Sequence, residues 1–259
     1  MAKKIYIPTA DELDLMRQSG RISAQALKLA IESVHEGQTL EEIDKLVENK
    51  IKELGGGSSF KTVPGYNWTC CLTVNHEVVH GIPRPIILKA GDVLSIDMGT
   101  VYQGWHTDTA WSVIVPGSTE DLSKKERFLK IGEKSLWAAI DQAKAGNRIG
   151  DISAAMQGVI ETEGGYKVIR SLVGHGVGRQ LHDDPEIPGF GFKGTGEVLV
   201  EGMTIAIEAI YTESTQDVVL DDDGWTLVSD DGSLGGMFEM SVIVGKDGPE
   251  VLTDWRHIS

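Results

Sequence analysis

Four carboxylates and one histidine in this chain have the types and spacing to hold metal ions. Asp97 and Asp108 lie on either side of a break at Tyr102-Gln103-Gly104, in the alternating runs Val93-Leu94-Ser95-Ile96-Asp97-Met98-Gly99-Thr100-Val101 and Trp105-His106-Thr107-Asp108-Thr109. The alternation predicts a β-hairpin with Leu94, Ile96 and Met98 on one face and Ser95, Asp97 and Gly99 on the other. With Tyr102 and Gln103 as a two-residue loop, Val101 opposes Gly104 and Asp97 opposes Asp108, their β-carbons roughly 5 Å apart. Two like charges so placed are destabilising unless a cation sits between them, and a divalent metal is the simplest candidate. A solvated hairpin with a polar turn is the plainer alternative, and the hairpin alone does not decide between them.

The second half of the chain supplies further ligand types. Glu208 interrupts the apolar run Met203-Thr204-Ile205-Ala206-Ile207-Glu208-Ala209-Ile210, and Glu239 interrupts Met237-Phe238-Glu239-Met240-Ser241-Val242-Ile243-Val244. His175 stands in Gly174-His175-Gly176-Val177-Gly178, whose glycines let the backbone approach another group closely. A phosphate cradle is the rival there, but the Gly-x-Gly-x-x-Gly spacing is absent and no lysine follows. A single glutamate in an apolar strand ordinarily has a salt-bridge partner, because burying it unpaired costs several kcal/mol. Two such glutamates, two opposed aspartates and a glycine-flanked histidine point to a shared metal centre. An oxygen-rich shell with one nitrogen suits manganese, iron, cobalt or zinc, and four carboxylates roughly balance two divalent ions. Two ions roughly 3.5 Å apart share a water, lower its pKa and hold the attacking and carbonyl oxygens, which is hydrolytic chemistry. Neither Gly-x-Ser-x-Gly nor His-Glu-x-x-His is present to suggest another hydrolytic design.

These residues need elements to position them. Thr9 with Glu12, and Thr39 with Glu42, are capping boxes ahead of two amphipathic helices, about Ala10 to Val34 and from Leu40 to the Gly55-Gly56-Gly57 stop. Cys71 to Val74 reads as a strand, Pro83 and Pro85 break the chain, and the hairpin follows. The order then restarts, with helical patterns over Leu122 to Ala145 and Asp151 to Thr162, and strands over Tyr166 to Val173, Met203 to Tyr211 and Met237 to Val244. One fused α+β unit is expected over residues 1–259, built from two pseudo-repeat halves, about 9–115 and 120–254. Asp221-Asp222-Asp223-Gly224 and Asp230-Asp231-Gly232 read as acidic turns around a short strand pair. A calcium loop fails there because Val219 occupies the first ligand position.

Composition narrows the function classes. A chain of 259 residues buries a sizeable core, and 24 basic against 39 acidic residues argue against a broad nucleic-acid or anionic-membrane surface. The only cysteines, Cys70 and Cys71, are adjacent, which excludes an ordinary disulfide framework and suggests a reducing compartment. The start at Met1-Ala2-Lys3-Lys4 lacks the apolar core of a signal peptide, and no apolar run reaches membrane-spanning length. A soluble cytoplasmic protein is expected.

Taken together, Cys71-Leu72-Thr73-Val74-Asn75-His76-Glu77-Val78-Val79-His80-Gly81-Ile82-Pro83, the Asp97/Asp108 hairpin, Gly174-His175-Gly176-Val177-Gly178-Arg179, the strand ending at Glu208 and Phe238-Glu239 resemble the type I methionine aminopeptidases. The resemblance runs in order from about Met16 to Val251. It implies the pita-bread fold of the creatinase-like superfamily, with helices outside a central curved, mainly antiparallel sheet. It also implies a centre of two divalent ions (cobalt, manganese, iron or zinc) and removal of the initiator methionine from nascent proteins and peptides with a small second residue. Position by position, it implies that Asp97 chelates one metal, Asp108 and Glu239 bridge the two, and His175 and Glu208 complete the other shell. His80 would lie near the substrate's amino end and His182 on the scissile carbonyl, Glu208 would handle the proton between water and leaving amine, and Cys71 and Trp225 would sit near the methionine side chain. No role follows for His35, His76, His106 or His257.

Three positions depart from the family pattern: Ala209 replaces a usual proline, and Met240-Ser241 a usual His-Thr. No metal ligand is lost, but Met240 puts metal preference and rate in question. The partners expected are N-terminal Met peptides and nascent chains, with at most a transient ribosome contact, no stable nucleic acid and no membrane, and the chain is expected to be a monomer. Two alternatives stay open: a metallopeptidase of the same superfamily that cuts before proline, for whose usual extra N-terminal domain the chain has no room, and a catalytically silent binding protein that kept the fold.

Overall fold

The computed structural model describes residues 5–258; the Met1-Ala2-Lys3-Lys4 start, with its small second residue, lies outside them. Both capping boxes form. Thr9 and Glu12 open α1 (Ala10–Ser33), and Thr39 and Glu42 open α2 (Leu40–Glu53), each threonine accepting from the glutamate's N–H while the glutamate accepts from the threonine's. Two further helices follow the hairpin, α3 (Ser123–Ile140) and α4 (Ile149–Gln157), the latter running on as a π-turn over Gly158–Gly164.

The strands in chain order are β1 (Gly57–Ser58), β2 (Cys70–Val74), β3 (Glu77–Val79), β4 (Val93–Tyr102), β5 (Trp105–Ile114), β6 (Lys167–Val168), β7 (Val173–Gly176), β8 (Asp183–Pro188), β9 (Thr204–Thr212), β10 (Val218–Leu220), β11 (Leu227–Ser229), β12 (Gly235–Ile243) and β13 (Glu250–Val251). A ten-stranded sheet runs β1-β4-β5-β12-β9-β7-β8, with β2, β6 and β13 pairing on β4, β9 and β12, and all its pairs are antiparallel. A smaller sheet, β10-β11-β3, stands beside it. The expected strand from Tyr166 to Val173 is corrected: Lys167 and Val168 pair with β9 and Val173 already belongs to β7, but the residues between them lie outside any strand, because the chain leaves β9 before rejoining it at β7.

One face of the large sheet carries the core. Helix α1 packs on β4 and β5, and α3 on β9 and β12. Leu94, Ile96, Ile205, Ile207, Phe238 and Val242 point into that layer and are fully or almost fully buried. Strict alternation then forces Asp97, Glu208 and Glu239 onto the opposite face, away from the helices.

The hairpin register differs from the expected one. Gln103 and Gly104, at φ 49° and 80°, form the turn, so Tyr102 pairs with Trp105, Asp97 with Ala110 and Asp108 with Gly99. A two-residue loop with both φ values positive matches the right-handed strand twist, and glycine takes the second position without strain. The pairing has slipped by two residues, and an even slip keeps side chains on their faces. Asp97 and Asp108 are therefore diagonal neighbours on one surface rather than directly opposed.

Candidate metal centre

Across the middle of the sheet, Asp97 pairs with Ala110, Ala110 with Glu239, and Glu239 with Glu208, making one row over β4, β5, β12 and β9. Two residues further along, Asp108 meets Ser241, while His175 on β7 pairs with Ala206 on β9. The five ligand-type side chains project from these strands into one hollow, which they line together. Ligand atoms of Asp108, His175 and Glu239 lie within 4.8 Å of one another. His175 Nε2 stands 3.8 Å from Asp108 Oδ2 and 4.0 Å from Glu208 Oε1.

His175 is aimed by its backbone neighbours. Its Nδ1 lies 2.9 Å from the Gly176 carbonyl, so Nδ1 carries the proton and Nε2 offers its lone pair to the hollow. A β-carbon on Gly174 would lie 2.6 Å from the Ala206 carbonyl oxygen, and one on Gly176 2.2 Å from that of Asp184. Only glycine lets these backbones close on the histidine strand. Asp108 is held twice: its Oδ1 accepts from the Thr109 N–H, and Ser241 Oγ both accepts from the Asp108 N–H (2.8 Å) and donates to the Asp108 carbonyl (2.9 Å).

The electrostatics of the cluster are unfavourable without a cation. Burial raises Asp97, Glu208 and Glu239 well above the carboxylate range, with the other acidic charges of the cluster adding to it. Burial also lifts Asp108 to about 7, opposed by the Thr109 N–H, and lowers His175 to about 4, helped by His182 and opposed by the Gly176 carbonyl. Among the described residues no lysine or arginine pairs with any of the four carboxylates. Asp97 Oδ1 and Glu239 Oε1 are buried without a hydrogen-bond partner. Orphaned carboxylate oxygens around a neutral imidazole nitrogen are the donor set a hard-to-borderline divalent ion takes.

The cluster forms the floor of a pocket of about 350 Å³. One wall is an aromatic cage of Phe60, Tyr66 and Trp225 with Cys71 and Leu181. Tyr66 meets Trp225 edge to face at 5.1 Å, and its hydroxyl donates to the Cys70 carbonyl at 2.7 Å. His80 and His182 also line the pocket, both solvent-exposed, and the His182 ring lies 4.6 Å from that of His175. The structure thus places all nine candidate metal- and substrate-site residues of the sequence on one cavity. Sequence reasoning missed Phe60, in a single 3-10 turn, and Tyr66 and Leu181, in irregular segments, none of which has a periodicity to mark it, and it missed the Ser241 clasp. His106, left without a role, is buried on the ligand face, its Nδ1 2.9 Å from Ser59 Oγ.

Residues 14–246 match metallopeptidase family M24. The methionine aminopeptidase of Clostridium perfringens is 39% identical, over 96% of this chain and 98% of its own length. Methionine aminopeptidase 1 of Bacillus subtilis is also 39% identical, over 96% and 99%. The chain belongs to metallopeptidase family M24. The crystal structure of a methionine aminopeptidase from Thermotoga maritima superposes on this M24 chain with a TM-score of 0.92 at 40% identity, covering 96% of this chain and 99% of that one. That likeness makes the fold the pita-bread arrangement. The prolidase of Pyrococcus furiosus shares the fold at a TM-score of 0.75 and 24% identity, and the M24 chain spans 65% of it.

Within this M24 chain two of the three departures fall away from the metal face, while the third, Ser241, lies on it and clasps the Asp108 backbone. Ala209 and Met240 are buried on the helix side. Met240 Sδ receives the Thr253 hydroxyl at 3.3 Å and lies 3.8 Å from the Thr109 hydroxyl, which also donates to the Glu239 carbonyl.

Proposed function

We propose that the chain is a metal-dependent methionine aminopeptidase that removes the N-terminal methionine of new proteins and peptides, preferring a small second residue. One observation carries the reading: a five-residue ligand cluster forms the floor of a pocket whose wall is an aromatic cage beside a cysteine. A thioether gains contact energy from such a wall, because polarisable sulfur packs well on ring edges.

Asp97, Asp108, His175, Glu208 and Glu239 would hold the ions, Asp108 and Glu239 lying between the other three. Divalent ions bound there supply an acidified water and an electrophile for the peptide carbonyl. The chain's own groups do the rest. The aromatic cage takes the methionine side chain and fixes the depth of the N-terminal residue. His80 at the rim would receive the α-amino group and His182 would donate to the scissile carbonyl oxygen. Glu208 would carry the proton from water to the departing amine. Cobalt, manganese, iron and zinc all suit the donor set. We further assign the protein to cytoplasmic maturation of nascent chains as a monomer built of two pseudo-repeats, about 9–115 and 120–254, with no more than a transient ribosome contact. No helix among the described residues is long and apolar enough to cross a membrane.

The test is release of free methionine from Met-Ala-Ser by chelator-stripped protein titrated with each metal, with Met-Lys-Ser and a prolyl peptide in parallel. Metal-dependent release from Met-Ala-Ser alone is the expected result. Cleavage of the prolyl peptide instead would favour the proline-specific alternative, and no release from folded, metal-loaded protein would favour a binding protein.

A further inference from the structure

We infer that Arg84 is a positioning residue for the methionine pocket, tying the strand that leads to His80 to the acidic turn that delivers Trp225 and so setting the width of the mouth between them. The inference rests on the aminopeptidase reading above.

Arg84 follows the His80-Gly81-Ile82-Pro83 turn, and its guanidinium folds back against two elements distant in sequence. Nη2 donates to Glu77 Oε1 on β3, three residues before His80, and the other oxygen of Glu77 accepts from the Val74 N–H at 2.9 Å. Nη1 lies 3.4 Å from Asp221 Oδ2 and 3.3 Å from Asp223 Oδ2. Asp223 in turn shapes the loop. Its Oδ1 accepts from the backbone N–H of both Trp225 and Thr226 at 2.8 Å, and its Oδ2 accepts from the Thr226 hydroxyl at 2.6 Å. Trp225 then enters the pocket edge-on to Tyr66.

This is not an ordinary surface ion pair, which would contribute little. The side chains are 21% exposed for Arg84, 8% for Glu77 and 15% for Asp223, and Arg84 Nε is buried. Three carboxylates converge on one guanidinium, so removing it leaves two poorly solvated acids facing each other across the seam between β3 and the turn. Their repulsion would push the turn outward and carry Trp225 with it. His80 is held in place independently: Gly81 fits under the Leu72 carbonyl so closely that a β-carbon there would lie 2.3 Å from it. One wall of the mouth is thus fixed by packing; the other joins β3 through the pairing of Leu227 with Val79 and, at the turn that carries Trp225, through Arg84.

A loosened Trp225 weakens contact with the methionine side chain while leaving the metal floor intact. The effect should appear in substrate binding and in selectivity among apolar N-terminal residues rather than in the chemical step. The experiment compares wild type, Arg84→Met and Arg84→Lys, each metal-loaded, on Met-Ala-Ser and Leu-Ala-Ser. For Arg84→Met we expect KM for Met-Ala-Ser to rise about tenfold, kcat to stay within about twofold, and the Met/Leu ratio of kcat/KM to fall by a similar factor. Arg84→Lys, which keeps the charge but not the fork, should recover part of the ratio. Combining Arg84→Met with Asp223→Asn should add little further loss of selectivity, because both act on one contact. An unchanged Met/Leu ratio in Arg84→Met, or equal losses on both peptides, would overturn the inference. Should Arg84→Met fail to fold, the ratio in Arg84→Lys and Arg84→Gln decides by the same criterion. If the wild type itself releases no methionine, the aminopeptidase reading fails, which is distinct from a wild type that works and a variant that matches it.

Discussion

Glu208 and Glu239 face each other directly on neighbouring antiparallel strands, both buried, on the face of the sheet opposite the helices. Like charges at directly opposed positions repel, and burial removes the water that would screen them. The fold tolerates this arrangement at a cost, and the cost is specific enough to measure.

Glu239→Gln should raise the stability of chelator-treated protein by about 1–3 kcal/mol, because it deletes one of four crowded acids without changing the volume. The same variant should lose most of the thermal stabilisation that added metal confers and most of its activity. Thermal unfolding with and without metal checks both halves. A variant less stable than wild type after chelation would mean that Glu239 has a favourable partner in the metal-free protein.

Stability of the metal-free protein should fall as pH rises. The ordinary values are 3.8 for aspartate and 4.5 for glutamate, while Asp108 is lifted to about 7 and Asp97, Glu208 and Glu239 are raised well above their ordinary values. Above about pH 6.5, where His175 is neutral in the folded and the unfolded chain alike, the raised carboxylates make the folded chain bind more protons than the unfolded one, so unfolding releases protons and higher pH favours it. Bound metal displaces the same protons, so metal affinity should climb from pH 6 to pH 8 and binding should release acid. Calorimetric titration in buffers of different ionisation enthalpy counts the protons, and zero release would contradict the prediction.

Ser241→Ala should weaken metal binding about 10- to 100-fold, the usual cost of losing a group that orients a ligand. It strips the hydroxyl that bridges the Asp108 N–H and carbonyl, leaving a buried donor without its partner, and should also cost about 1–3 kcal/mol of stability. Ser241→Thr keeps the hydroxyl and should behave much more like wild type. Equal metal affinity in wild type and Ser241→Ala would remove the serine from the site.

Tyr66→Ala should raise KM for Met-Ala-Ser at least tenfold while leaving metal stoichiometry unchanged, since the ring props Trp225 and its hydroxyl ties to the Cys70 carbonyl. Tyr66→Phe keeps the prop and should lose much less. Steady-state kinetics with a parallel metal count separate the two.

Much of the fold was legible because its signals are local. The capping boxes at Thr9 and Thr39 name their helices through side chains three residues apart. The alternation around Asp97, Glu208 and Glu239 assigns each acid to the face away from the core, and that assignment survives any even slip in pairing. The glycines on either side of His175 announce a close backbone approach, which Gly174 and Gly176 make. The ligand types themselves, set in otherwise apolar strands, were visible as residues whose burial demanded a counter-charge.

Which strand meets which, and at what register, belongs to the tertiary structure. The Gln103-Gly104 turn, one residue later than Tyr102-Gln103, moved Asp97 opposite Ala110, because turn conformation depends on strand twist as well as on residue type. The row from Asp97 through Ala110 and Glu239 to Glu208 joins positions more than 100 residues apart. No local pattern encodes that spacing. Tyr66, Ser241 and Arg84 gain their roles only from what lies across the fold from them: the Trp225 ring, the Asp108 peptide, and the seam between β3 and the acidic turn. A side chain's type and face are fixed by its neighbours along the chain, whereas its partners are fixed by packing. The sequence by itself determined the chemistry available, and the pairing of β5, β12 and β9 decided that it would meet in one place.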